Sequence, residues 1–554
     1  MRLSRLLLPL LLAAALPVHA QVEGQETKEI GKPKNPNEVL TAMFPPGSTH
    51  EFVMIPMRDG VKLATDIFVP PGDGKYPTIF ARGFYGRFGT TGYAKGAKEG
   101  GLAFICQDSR GCYDSEGKGT AKITAPDYEM NDVEDTLKWI ASQKWSNGKI
   151  GMMGASGNGV GPSAGYMLKS PLLVASMPSI SAANPYYYFG FQNHVRRGLY
   201  AWLSHTGLNT DAWPKPSIST ADVPRWQEIL KNAGQNNSAQ VVLSTGWYDI
   251  ASEATLDAFA ALAPTSHIYA SISPNAHSGN PQFPWPRAAA PAGAARPALL
   301  ADFLKAATPP VQKSQLVYYL LGNFRDPSTG GNIQKITDVW PVPNTSTSWY
   351  LQPDGTLSET KPTAKDGSVS FDYDPKDPAP TLGGNPWYDA KAGPYDQRPL
   401  ASRKDVVRFI SAPLEAPLEI TGKILADLYI STDVPDTLFV VKFIDIHPDG
   451  YEMIIREGPA MGRYAEELQG KPAPLVKDKV YQLKFDLWST AILLAKGHRL
   501  GVLITSSSKD AFEVHPNSFE PVTSYDKSPI AHQKIYASAD HPSRLILPVV
   551  TSSK

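Results

Sequence analysis

The sequence predicts an α/β domain built on a parallel sheet covered on both faces, followed by an all-β sandwich. Three observations lead there. Up to about residue 325, short β-branched apolar runs alternate with helix-period stretches, the pattern of strands joined by crossovers. From about Ser346 onward, short apolar runs recur between Gly, Pro, Asp and Asn without helices, which is the spacing of a sandwich. At 554 residues the chain is also too long for a single core and suggests two or three domains.

Taken in order, residues 1–20 carry Arg2 and Arg5, an apolar run from Leu6 to Leu16, and Val18-His19-Ala20. These are the charged, apolar and small-residue regions of a secretory signal peptide, cleaved after Ala20. Residues 21–48 are polar and rich in Pro, Gly, Lys and Glu, an extended lead-in with little core of its own. Phe52–Met57 and Val61–Val69 read as strands flanking the turn Arg58-Asp59-Gly60, and Tyr76–Ala81 as a third strand leading to Tyr85. After a strand at Phe104–Gln107, residues 127–143 predict a helix with Val133, Leu137 and Ile140 on one face. Between Ser170 and Ser238 the strand pattern gives way to Tyr186-Tyr187-Tyr188-Phe189, Arg196-Arg197, Trp202 and a helix near Pro224–Lys231. Strands return at Val241–Gly246 and Ile268–Ile272, and a helix and strand near 297–308 and 314–322 complete the domain, placed at 49–325. The sandwich is placed at 340–554, with strands expected at Ser368–Tyr373, Val406–Ile410, Leu418–Ile430, Leu438–Ile446, Val480–Leu487 and Arg499–Ser506.

The most informative stretch is Gly151-Met152-Met153-Gly154-Ala155-Ser156-Gly157-Asn158-Gly159, where an apolar run is stopped by a glycine-flanked serine. A hydroxyl presented on a sharp strand-to-helix turn needs small neighbours on both sides, the requirement of a nucleophile elbow. Asn158 stands where the second glycine of G-x-S-x-G belongs, and Gly159 follows one place later. Acid and base partners appear downstream in the order serine, aspartate, histidine. Asp249 follows the run ending at Gly246, and His277 follows the strand at Ile268–Ile272. In an open parallel sheet, residues just past the carboxyl ends of several strands can converge on one ligand.

Further stretches identify a resemblance: Met57–Leu63, Arg82-Gly83-Phe84-Tyr85, Gln107–Gly111 with Ser115-Glu116-Gly117, Gly246–Asp249, and Asp396-Gln397-Arg398-Pro399-Leu400. With the elbow, they resemble the cocaine esterase and X-Pro dipeptidyl-peptidase family of serine hydrolases, which also includes α-amino acid ester hydrolases and glutaryl acylases. The resemblance spans nearly the whole mature chain. It implies an α/β-hydrolase domain with a short helical cap, at 170–238, followed by a C-terminal jelly-roll β-sandwich that shapes one side of the cleft. It implies Ser156 as nucleophile, His277 as general base and acid, and Asp249 as the orienting carboxylate. The oxyanion hole would combine the Tyr85 hydroxyl with the backbone N–H of Gly157.

Two departures from the family pattern bear on the chemistry. Gly157 replaces the usual tyrosine after the nucleophile, and Asn275 replaces a tryptophan shortly before the histidine. A backbone donor survives the first change, and the acyl pocket is expected to be roomier. Enzymes of the family that select a free α-amino group carry an acidic pair directly after the triad aspartate. Here the sequence reads Asp249-Ile250-Ala251-Ser252, uncharged until Glu253. A desolvated ammonium without a carboxylate is costly to bind, so no preference for free amines is expected unless Glu253 or the cap's Asp211 supplies the charge.

Composition narrows the function further. Removing the leader takes the balance from 53 basic and 53 acidic residues to a formal charge of −2. That charge favours neither nucleic acid nor an anionic membrane, and no later segment reaches the length of a membrane span. No Cys/His metal spacing or Gly-rich phosphate loop is present, so neither metal nor cofactor is expected. Cys106 and Cys112, the two cysteines, leave two readings open: a disulfide in an exported protein, or free buried thiols acting as small hydrophobes. The expected protein is a secreted or periplasmic serine hydrolase that cleaves small-molecule carboxylic esters or amides through an acyl-enzyme. An X-Pro dipeptidyl-peptidase is the alternative within enzymes, and a catalytically inactive exported binding protein the alternative outside them.

Overall fold

Two strands joined by a tight turn open the described chain, as Arg58-Asp59-Gly60 predicts. Strand β1 (Thr49–Pro56) pairs antiparallel with β2 (Lys62–Val69), Pro56 opposite Lys62, and Gly60 takes φ 87°, where a side chain would be strained. The computed structural model describes residues 44–117, 126–182, 190–198, 228–233, 239–277, 279, 282–294, 299–307, 311, 313–386, 392–468, 471–520 and 524–551. The leader expected at 1–20, residues 21–43 of the expected lead-in and most of the expected cap at 170–238, including Tyr186–Phe189, Trp202 and Asp211, lie outside the described residues. Of the rest, Leu173–Ser179 is a strand of the parallel sheet rather than part of a cap, which corrects the expected start at 170, and residues 228–233 are helical.

The α/β segment continues with β3 (Tyr76–Gly83), α1 (Thr91–Gly100), β4 (Ala103–Asp108), α2 (Pro126–Ser142), β5 (Ser146–Ala155), α3 (Val160–Met167) and β6 (Leu173–Ser179). A short antiparallel ribbon, β7 (Phe191–Gln192) and β8 (Val195–Arg196), precedes β9 (Gln240–Tyr248), α4 (Ser252–Leu262), β10 (Ile268–Ala276), α5 (Leu300–Lys305), β11 (Gln315–Leu320) and β12 (Ile333–Thr337). By contact the chain divides into two units. The first holds Met1–Ser179, Asn237–Val242 and Pro297–Gln312, and the second Ile180–Asn236, Leu243–Arg296 and Lys313–Lys554.

In the first unit the strand order is β1-β2-β4-β3-β5-β6, with β4, β3, β5 and β6 mutually parallel. Helix α2 begins and ends within one residue of its sequence prediction, and Val133, Leu137 and Ile140 are fully buried. Gly151 of β5 is required by packing, since a Cβ there would lie 2.7 Å from Leu300 Cδ1 on α5. In the second unit β10 and β11 are parallel and β12 closes the edge antiparallel.

The second unit also contains the sandwich strands β13 (Thr345–Leu351), β14 (Thr356–Ser358), β15 (Ser368–Tyr373), β16 (Val407–Ser411), β17 (Leu418–Thr432) and β18 (Leu438–Ile446). They are followed by β19 (Glu452–Met461), β20 (Tyr481–Leu494), β21 (Arg499–Thr505), β22 (Ala531–Tyr536) and β23 (Arg544–Val549). All are antiparallel to their neighbours apart from the β14–β16 pair. Ala379, Leu400, Ile444, Ile454 and Leu503 form one of its buried clusters. The predicted runs at 368–373 and 438–446 coincide with β15 and β18, whereas β19 escaped the sequence reading. Its charges Arg456 and Glu457 are buried, and Glu457 pairs with the equally buried Lys442 at 2.5 Å. No described helix is long and apolar enough to cross a membrane.

The disulfide reading is corrected: Cys106 and Cys112 are both free, buried thiols. On β4, Gln107 turns its amide to Arg82 and Thr136, so its neighbour Cys106 faces the other side of the sheet. Cys106 Sγ lies 3.9 Å from the Asp66 carbonyl oxygen, while the Cys112 thiol feels Arg82 and Glu129 on the Gln107 side. Burial pushes the Cys112 thiol up to about 11 and the Cys106 thiol higher still, so both stay protonated and unreactive at neutral pH. Alkylation of the protein denatured without reductant is therefore expected to label two thiols by mass spectrometry; an absence of free thiol would restore the bridge.

Candidate active site

The five predicted site residues fall into two groups, one in each unit. In the first unit Ser156 is the first residue past β5 and opens a 3₁₀ turn, Ser156–Gly159, that runs into α3. Its φ of 55° lies in the left-handed region, which a side chain adopts only under strain. That is the backbone of a nucleophile elbow. The small residues around it answer to close packing. A Cβ on Gly154 would collide with the Asn158 carbonyl oxygen, and one on Gly83 with the Asn158 side chain. Asn158 is thus a buried packing residue rather than an interruption of the motif.

Tyr85 stands beside the turn with its hydroxyl 3.4 Å from Ser156 Oγ. The space directly beside Gly157 is not empty. A Cβ on Gly157 would lie 2.8 Å from both Cζ and the hydroxyl of Tyr85, so the Tyr85 ring already fills the space a larger residue would need.

The loop that carries Tyr85 is held from both ends. Ser109 N donates to the Gly83 carbonyl at 3.1 Å, and Arg87 N donates to Asp108 Oδ1 at 2.6 Å. Behind it lie two buried ionic groups. Arg82 joins Glu129 at 2.7 Å, Asp132 at 3.0 Å and Gln107 at 2.6 Å, and Arg110 extends the group to Asp59 at 2.8 Å. Arg87 joins Asp108, Asp66 at 2.6 Å and Asp114 at 2.9 Å. Burial pushes the Asp108 carboxyl up to about 6 despite the Arg87 guanidinium against it. The stretches Arg82–Tyr85 and Gln107–Gly111 are thereby explained as the frame that positions Tyr85, a role sequence reading did not assign.

In the second unit Asp249 and His277 are the first residues past β9 and β10. Asp249 is fully buried; its Oδ1 accepts from Ala251 N at 2.8 Å and lies 3.1 Å from His277 Nδ1. The two strands close in just before these residues, since a Cβ on Gly246 would collide with the Asn275 carbonyl oxygen. Neighbouring aromatics lock the Asp249 turn, Trp247 Nε1 donating to the Tyr319 carbonyl at 2.6 Å and the Tyr248 hydroxyl to the Ile454 carbonyl at 3.1 Å.

Glu253 is already spoken for. It is buried, pairs with Lys423 at 2.7 Å and accepts from Ser489 N at 2.7 Å and Ser489 Oγ at 3.2 Å. Its partners lie far along the chain on β17 and β20, so no local pattern announced them.

A strained serine with a phenol beside it in one unit, and a buried aspartate bonded to a histidine in the other, are the kinds of parts a serine hydrolase uses, and similarity to known proteins makes this protein a serine hydrolase. Comparison with known proteins places it more narrowly. Residues 59–225 match the X-Pro dipeptidyl-peptidase (S15 family) profile, and residues 314–546 match that of the X-Pro dipeptidyl-peptidase C-terminal non-catalytic domain. Cocaine esterase of Rhodococcus sp. (strain MB1 Bresler) is 28% identical over 585 residues, covering 90% of this chain and 98% of that protein. Two solved structures share the fold. An aminopeptidase from the marine sediment archaeon Thaumarchaeota archaeon has a TM-score of 0.72 at 22% identity, over 96% of this chain and 99% of its own. An α-amino acid ester hydrolase has a TM-score of 0.71 at 22% identity, over 95% and 100%. The chain belongs to the cocaine esterase and X-Pro dipeptidyl-peptidase family of α/β-hydrolases.

Proposed function

We propose that the protein is an exported hydrolase of carboxylic esters or amides that works through an acyl-enzyme on Ser156 and does not require a free α-amino group. The observation that carries the mechanism is the left-handed backbone of Ser156 at the end of β5, with the Tyr85 hydroxyl 3.4 Å from its Oγ. Ser156 attacks the carbonyl, and His277 takes its proton through Nε2 and later gives it to the leaving group. Asp249, bonded at Nδ1, fixes the tautomer and stabilises the imidazolium. The Tyr85 hydroxyl and the Gly157 amide stabilise the oxyanion. Export rests on the leader composition of residues 1–20.

The substrate side of the proposal is supported by Glu253. With Ile250, Ala251 and Ser252 buried and uncharged, it is the nearest acid after Asp249, and it is committed to Lys423 and Ser489. An ammonium ion placed there would have to compete with the Lys423 ammonium for the buried Glu253 carboxylate. The profile match at 59–225 favours a second reading, an X-Pro dipeptidyl-peptidase. Paired kcat/KM measurements separate the two. An α-amino ester and an H-Xaa-Pro amide are expected to turn over no better than their N-acylated analogues. A hundredfold advantage for the free amine, about 2.7 kcal/mol, would overturn this reading and install the peptidase.

A further inference from the structure

Away from the hydrolase site, the sandwich gathers Asp445, His447 and His498, with ligand atoms all within 4.8 Å of one another. The topology explains the cluster. Asp445 and His447 are two residues apart at the end of β18 and therefore share a face. Strand β21 runs antiparallel to β18 with Arg499 opposite Ile446, so one step further along His498 comes opposite His447. The two imidazole rings lie 4.6 Å apart, tilted by 37°. His498 Nδ1 is 2.8 and 3.0 Å from the two Asp445 oxygens, and His447 Nε2 is 3.3 Å from Asp445 Oδ2.

Two further features point to a ligand. All three side chains are at least nine-tenths buried, and neither ring nitrogen of His447 makes a hydrogen bond. An imidazole buried with both nitrogens unmatched is costly, so such groups are normally satisfied by a partner. The spacing also fits an ion. Ligands about 2.1 Å from a tetrahedral or octahedral centre stand roughly 3.0–3.4 Å apart, and the separations of 3.0 and 3.3 Å from Asp445 Oδ2 fall in that range.

We propose that Asp445, His447 and His498 bind a divalent transition-metal ion of the zinc class, tying the end of β18 to the start of β21. Two imidazoles and one carboxylate suit zinc or a neighbouring first-row ion, and disfavour magnesium and calcium, which demand oxygen ligands. The Tyr451 hydroxyl donates to the Pro394 carbonyl at 2.6 Å and is engaged elsewhere, so water completes the coordination. The role is structural, since the His447 backbone is fixed by the turn it closes, with its N donating to Tyr451 O at 2.9 Å.

The test uses the full-length protein, stripped with a chelator and titrated with Zn²⁺ and Co²⁺ near pH 7.5. One equivalent of Zn²⁺ per chain, a Co²⁺ d–d spectrum of low symmetry, and a rise in Tm of roughly 5 °C at saturating Zn²⁺ are expected. The His447→Gln, His498→Gln double variant should bind no stoichiometric metal while keeping its ester turnover. If that variant does not fold, Asp445→Asn, which keeps size and shape, should weaken Zn²⁺ at least tenfold. Wild-type protein that takes up no stoichiometric Zn²⁺ and shows no change in Tm would overturn the proposal. So would a folded variant that binds as tightly as wild type.

Discussion

Replacing Ser156 with alanine lowers kcat by about 10⁴–10⁶, leaving only substrate binding and oxyanion stabilisation. The fold should be unaffected, because alanine keeps the Cβ that the φ of 55° already accommodates and the flanking packing of Gly83, Gly154 and Asn158 involves no serine hydroxyl. Reaction with a fluorophosphonate probe should label the wild-type protein and be lost in the variant, which also separates an enzyme from an inactive exported scaffold. Ser156 and His277 should behave as one device, so that Ser156→Ala combined with His277→Ala is no slower than Ser156→Ala alone. A variant retaining more than a tenth of wild-type turnover would remove Ser156 from the mechanism, and additive losses in the double variant would uncouple His277 from it.

Much of this site was legible in the sequence because it is written in local grammar. A strand followed by a candidate site residue needs only an apolar run and a small or special residue after it, and Ser156, Asp249 and His277 are each the first residue past β5, β9 and β10. What stayed hidden is non-local. Asn158 looked like a flaw in the G-x-S-x-G spacing, yet its burial against Gly83 and Gly154 is what the two glycines are for. Gly157 carries no side chain, and the position its Cβ would take lies against Tyr85, a residue from a different strand end. Glu253 read as a candidate ammonium ligand until Lys423 and Ser489, brought in by β17 and β20, proved to hold it. Strand β19 was missed for the same reason, since its buried Arg456 and Glu457 break the apolar run that marks a strand, and what faces them is distant in sequence, Lys442 for Glu457 and the Trp247 ring for Arg456. The cluster of Asp445, His447 and His498 carries no motif spacing at all; only the pairing of β18 with β21 creates it.

Changing Tyr85 to phenylalanine tests the second half of the mechanism, and a loss of 10²–10³ in kcat, about 2.7–4 kcal/mol, is expected with little change in KM. The distance of 3.4 Å from the Tyr85 hydroxyl to Ser156 Oγ is long for a hydrogen bond to the resting serine. A donor that holds the serine weakly is free to turn to the oxyanion that forms on the carbon bonded to Oγ, so its contribution grows on the way to the transition state. Preorganisation is the reason the effect should be large. Gly83 and Arg87 pin the loop on either side of Tyr85 through Ser109 and Asp108, and the ring packs on Gly157, so little reorganisation is left to the reaction. Phenylalanine keeps that packing and removes only the donor. For the same reason Tyr85→Phe should leave Tm within about a degree or two of wild type, because no buried partner loses a bond and the hydroxyl belongs to a side chain that is 38% exposed. Unchanged kcat with unchanged Tm would reduce Tyr85 to a packing residue and leave the Gly157 amide to stabilise the oxyanion without it; a fall in kcat accompanied by a large loss of Tm would mean that the ring, not the hydroxyl, is what the site requires.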